Sequence, residues 1–68
     1  MQWYTVVSVG TIASGLSVRN FVDLTHVWAD NVATAESVGW RNLERLAPKS
    51  TDRDVKVVET PTEPPADA

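Results

Sequence analysis

The sequence predicts an α+β domain of order ββαβ, a three-stranded sheet with one helix packed on one face, followed by a disordered C-terminal tail. Three observations carry this reading. Two long stretches before Asp30 are dense in β-branched and aromatic residues, apolar residues recur at helical spacing from Val32 to Leu46, and a short valine-rich stretch precedes a proline-bearing end. Sixty-eight residues hold one small domain at most. Without cysteine there is neither a disulfide nor a thiolate zinc site, so apolar packing or a partner must hold the fold.

Gln2 to Val9 reads as the first strand, with Trp3, Thr5, Val7 and Val9 on one face and Gln2, Tyr4, Val6 and Ser8 on the other. Gly10 to Gly15, glycine at both ends, reads as a hairpin loop of more than two residues. The second extended stretch, Ser17 to Ala29, is long enough to need a bulge or bend near Asn20 or Asp23. Its apolar residues fall on both faces, and we place Val27 and Ala29 inward, with His26 and Trp28 on the opposite side.

Asp30 and Asn31 are helix caps by chemistry, because their short acceptors satisfy free backbone N–H groups of a first turn. One helix is predicted from Asn31 to about Leu46, with Val32, Ala35, Gly39, Leu43 and Leu46 on its apolar stripe and Pro48 as its stop. Glycine inside a helix costs about 1 kcal/mol relative to alanine. Gly39 therefore marks either a close approach to the sheet or a break with a restart at Trp40. Asp54 to Thr60 reads as the last strand, with Val55 and Val57 on one face and Lys56 and Val58 on the other. A right-handed crossover should lay it parallel to a strand of the hairpin, the expected one being the first.

The charge divides the chain into residues 1–58, the folded unit, and residues 59–68, the tail. Six basic and six acidic residues balance up to Val58, so the net charge of -3 arises from Glu59, Glu63 and Asp67. Three of the four prolines share that last stretch, and its composition cannot bury enough apolar surface to offset ordering. Pro61 to Pro64 matches P-x-x-P, but its acidic flanks favour a solubilising tail. Gln2 to Val18 is uncharged, yet with its serines, threonines and glycines it is too short and too polar for a membrane span of ~20 apolar residues. It also lacks the basic start of a signal peptide, and a cytoplasmic protein is expected.

Nothing in the sequence favours catalysis. His26 is the sole histidine, and Ser17, His26 and Asp23 make a nucleophile, base and orienter on paper only. No phosphate-binding glycine loop and no metal-ligand spacing occurs, so no cofactor and no metal are expected. The sparse basic set argues against nucleic acid. Three tryptophans in so short a chain are the stronger signal. Trp3 and Trp40 are expected to complete the core, Trp40 lying at the edge of the helix stripe where it also serves as a contact candidate. Tyr4 and Trp28 have the parity of the uncovered face, where aromatic residues mark a binding surface. Arg41, Arg45, Lys49 and Arg53 form a basic set for an acidic partner.

The strand Trp3-Tyr4-Thr5-Val6, the run Val27-Trp28-Ala29-Asp30-Asn31-Val32 with Ala35 following, Trp40 late in the helix and the closing Val55-Lys56-Val57 form a recognisable pattern. It resembles the host RNA polymerase inhibitor proteins of T7-like phages. That resemblance implies a compact single-helix α+β protein that binds the jaw region of the bacterial polymerase large subunit and blocks promoter opening. It also implies a functional surface of arginines on and near the last strand, a region in which this chain has only Arg53 and Lys56. The expected contact set is Tyr4, Trp28, Trp40, Arg41, Arg45, Arg53 and Lys56. Two function classes follow. The first is a non-enzymatic protein that binds and modulates a larger bacterial host protein, and the second is a structural or accessory subunit of an oligomeric phage assembly.

Overall fold

The computed structural model describes residues 1–63, so the tail prediction for residues 64–68 lies outside the described residues. The order is β1 (Gln2–Ser14), β2 (Ser17–Ala29), α1 (Val32–Leu46) and β3 (Thr51–Thr60), giving the predicted α+β fold. The strands form one antiparallel sheet of order β2-β1-β3, with β1 in the centre. The last strand does neighbour the first, as expected, but runs antiparallel to it. It shares its direction with β2, because α1 carries the chain from one edge of the sheet, over β1, to the other.

The hairpin is tighter than its glycines suggested. β-branched Thr11 and Ile12 continue β1, and the chain reverses over Gly15 and Leu16 alone, with Ser14 paired to Ser17. Gly15 has φ 60, the left-handed value a two-residue turn needs at its first central position. The register between β1 and β2 is unbroken from Gln2–Ala29 to Ser14–Ser17, so the bulge predicted in β2 is absent. It occurs in β3 instead. Val9 pairs with Asp54 and Thr11 with Thr51, leaving one extra residue on β3, and Asp52 takes it up with φ 50.

β3 starts at Thr51 and reaches Thr60, so the folded unit ends two residues beyond Val58. Thr60 pairs with Trp3, and its hydroxyl lies 2.6 Å from that of Thr5.

Asn31 caps α1 as its chemistry predicts, its Oδ1 accepting from the Thr34 N–H at 2.8 Å. Asn31→Ala leaves that donor without its partner and should lower stability by about 1 kcal/mol. In a chain this short a melting shift of roughly 4–8 °C reports it, and Asn31→Ser should show little change.

The predicted parity of β1 is right, but inside and outside are exchanged. Tyr4, Val6 and Ser8 face α1 and are buried with Ala29, Ala35, Leu43 and Val55, whereas Trp3, Val7 and Val9 lie on the other face. The physical reason is Gly39. A Cβ there would come within 2.6 Å of Val55 Cγ1 and 2.8 Å of Val6 Cγ1, so the helix rests on the face with the smaller side chains. α1 is continuous through Gly39, which settles its role as close approach rather than break. The Ser8 hydroxyl, fully buried, donates to the Gly39 carbonyl at 3.2 Å.

Only the middle of the helix stripe is covered, because Val32 and Leu46 at its ends are exposed. A 15-residue helix is about 22 Å long and a 13-residue strand about 43 Å, so α1 shields roughly half the sheet. No helix among the described residues is long and apolar enough to cross a membrane.

Candidate functional site

Among the described residues, nothing covers the sheet face turned away from α1. Its rows follow from the register: Trp28–Trp3–Thr60, His26–Thr5–Val58, Leu24–Val7–Lys56, Val22–Val9–Asp54, then Asn20–Thr11 and Val18–Ala13. Five large apolar side chains here are more than half exposed, namely Val18, Val22, Leu24, Trp28 and Val58. Trp3 and Trp28 sit directly opposite one another with ring centroids 5.2 Å apart and planes tilted by 59°. Such a pair contributes about 0.5–1.5 kcal/mol beyond its buried area and presents a rigid aromatic anchor. Beyond it the chain leaves β3 and brings Pro61 and Glu63 alongside the two rings.

The contact residues predicted from sequence are divided among five places. Trp28 and Lys56 lie on this open face, as their parity requires. Tyr4 does not: it is buried under α1 at 3% exposure, because it shares the face of Val6 and Ser8. Trp3 and Trp40, expected in the core, are outside it, Trp3 on the open face and Trp40 41% exposed on the helix. Trp40 has Glu36 and Glu44 one turn away on either side, and Glu44 reaches β3. Arg41 and Arg45 are exposed, one turn apart, on the side of α1 where Asn42 donates to Asp23 of β2 at 3.4 Å.

Arg53 is partly exposed and engaged within the chain. Its Nε donates to the Ser50 carbonyl and hydroxyl at 3.1 and 2.9 Å, one terminal nitrogen to the carbonyls of Ala47 and Pro48 at 3.2 and 2.7 Å, and the other to Glu44 at 2.9 Å. The guanidinium fork thus closes the α1–β3 loop, a use that a charge count along the sequence cannot distinguish from a free arginine.

His26 Nδ1 lies 3.2 Å from the Thr5 hydroxyl. Asp23, its candidate orienter, sits on the opposite face, and Ser17 is at the far hairpin end, so the three are not brought together. Among the described residues no group of three His, Asp or Glu side chains is placed to hold a metal. Sequence reasoning missed Trp3, Val22, Leu24 and Val58 as surface residues. The signal was present in two strands apolar on both faces within a chain that has one helix to cover them.

No known protein family, curated protein or solved structure matches this chain.

Proposed function

We propose that this chain is a non-enzymatic binding protein that acts by stoichiometric association through its open sheet face. The uncovered apolar surface, anchored by Trp3 and Trp28 and carrying Lys56, supports this reading. Monomeric soluble proteins rarely expose a contiguous apolar patch of this kind without using it. Tryptophan held rigidly at such a surface is the residue type that most often dominates binding energy. The partner is a larger bacterial host protein met in the cytoplasm, and the phage-inhibitor resemblance makes RNA polymerase the first target to test. Lys56 lies on the face and is available to an acidic partner, whereas Arg53 is occupied within the chain.

Affinity capture from bacterial lysate on the immobilised chain, alongside purified RNA polymerase, tests the reading. Wild type should retain one partner in stoichiometric amount, and Trp28→Ala should weaken binding about 30-fold, the effect of losing a hot-spot aromatic. Equal retention by the variant, or no partner at all, would refute it.

A second reading, a subunit of an oligomeric phage assembly, is favoured by the spread of exposed apolar side chains along β2, Trp28, Leu24, Val22 and Val18, with polar His26 and Asn20 between them.

A further inference from the structure

We infer that the resident occupant of the open face is a second copy of this chain, packed face to face about a two-fold axis. The inference rests on the reading of this face as a contact surface and identifies what covers it. A larger partner would then have to exchange for the second copy.

The register fixes where the axis lies. Ser8 pairs with Asp23 on one side and Val55 on the other, so these three positions form a single row across the sheet. A two-fold axis between the sheets, perpendicular to the strands and over that row, reverses strand direction and sets each strand above its own copy. Each open-face row then meets the row equally far on the other side.

The matches are complementary in charge, polarity and size. Nearest the axis, Leu24, Val7 and Lys56 meet Val22, Val9 and Asp54 of the second copy, and the same contacts recur by symmetry. Lys56 and Asp54 are the charged residues of these two rows, and the rotation superposes opposite signs twice. One step out, His26 and Thr5 meet Asn20 and Thr11, polar on polar, while Val58 of the same row falls over the Thr51 end of β3. At the ends, the two largest side chains, Trp28 and Trp3, meet two smaller ones, Val18 and Ala13. Asp52 and Glu63 are exposed at the margins of the face, where water reaches them. Sheets packed in this way cross at about 30°, so the central rows stack most faithfully.

The area is of the right order. The rows from Trp3 to Ala13 span roughly 34 Å along the strands and about 14 Å across three of them, some 500 Å² in projection before side-chain relief is counted. Stable interfaces bury about 800 Å² of accessible surface per partner. A shift of one row in either direction removes the Lys56–Asp54 match, so the ion pair sets register more than affinity.

Sedimentation of the full chain over micromolar concentrations, combined with charge exchange, tests this. Wild type should sediment as a dimer. Lys56→Glu places two carboxylates opposite each other at each β3 crossing and should raise the dimer Kd roughly tenfold or more. Asp54→Lys should do the same with two ammonium groups, and the double variant Lys56→Glu/Asp54→Lys should recover wild-type association. Both positions are exposed, and far-UV circular dichroism of each variant confirms folding. A monomeric wild type overturns the inference, as does a dimer indifferent to the single changes or one that the exchange fails to restore. A monomer that still captures a partner through Trp28 sinks the second copy alone; a monomer that captures nothing sinks the contact-surface reading with it.

Discussion

Gly39→Val should remove most of the stability the chain has at room temperature, and Gly39→Ala should lower it by up to about 2 kcal/mol despite alanine's better helix propensity. Two effects oppose each other at this position. Alanine favours the helix by about 1 kcal/mol over glycine. Its Cβ, however, would lie 2.6 Å from Val55 Cγ1 and 2.8 Å from Val6 Cγ1, both closer than carbon atoms tolerate, and a tight 3.0 Å from Ser8 Oγ. Neither valine can yield easily, because branching at Cβ leaves few rotamers in the packed layer. Moving α1 outward instead would stretch the Ser8 to Gly39 hydrogen bond, already 3.2 Å, and open space around the fully buried Leu43. Overpacking of this kind costs about 1–3 kcal/mol for one carbon, and the two further methyl groups of valine should bring the loss to about 3 kcal/mol or more. A chain of this size has only about 3–5 kcal/mol to lose. Urea titration of the two variants measures the effect. Val55→Ala in the Gly39→Ala background should cost less than the sum of the single changes, since it removes the atom nearest the new Cβ. Strict additivity would show that the contact is not the cause.

The same contact explains how far the fold could be read from sequence. The elements were legible because their signals are local: Asn31 as cap, the three- and four-residue spacing of Ala35, Gly39 and Leu43, and β-branched density in the strands. Strand parity followed from alternation. Which face of β1 lies inward did not, because Trp3, Val7 and Val9 are as apolar as Tyr4 and Val6. That choice depends on where a helix glycine lands, a non-local fact. The charge pattern does mark the central strand. β1 lies within the uncharged run from Gln2 to Val18, and a strand with neighbours on both edges is the one that least accommodates charge. That property marks β1 as central and places β3 on its free edge.

The candidate site divides along similar lines. Trp28 and Lys56 were placed by parity alone, which needs only the strand assignment. The apolar character of the open face as a whole was hidden, because Val22, Leu24 and Val58 look like core residues until the single helix is seen to cover the other side. An exposed surface of this kind is also a hazard, which gives the face-to-face pairing a physical role apart from any partner. It would shield the rows that α1 cannot reach, in a protein whose single covered face supplies little stability to spare.

Arg53→Met should cost about 2–3 kcal/mol, lowering the melting temperature by roughly 10–20 °C, although the removed charge sits near the surface. The salt bridge is not the reason. Glu44 is 70% exposed, and surface pairs of this type contribute little. The loss comes from the loop carbonyls. The last turn of α1 ends at the buried Ala47, whose carbonyl accepts from the Ser50 N–H, the Ser50 hydroxyl and Arg53. Arg53 also holds the carbonyls of Pro48 and Ser50, so one planar fork fixes three carbonyls of the loop just before Asp52 adopts its left-handed conformation. Methionine keeps the length and the apolar stem but donates nothing, which leaves the bulge without its support. Lysine should recover less than half of the loss, because one ammonium cannot reproduce the spacing of the guanidinium donors. Glu44→Gln should be nearly silent. Thermal melts of the three variants separate these contributions: equal losses in Arg53→Met and Glu44→Gln would assign the effect to the ion pair, whereas a large loss in the first alone identifies Arg53 as the brace of the α1–β3 loop. Amide hydrogen exchange adds a local readout, since in Arg53→Met protection should fall first at Thr51 to Asp54, while the β1–β2 ladder keeps its wild-type order of exchange.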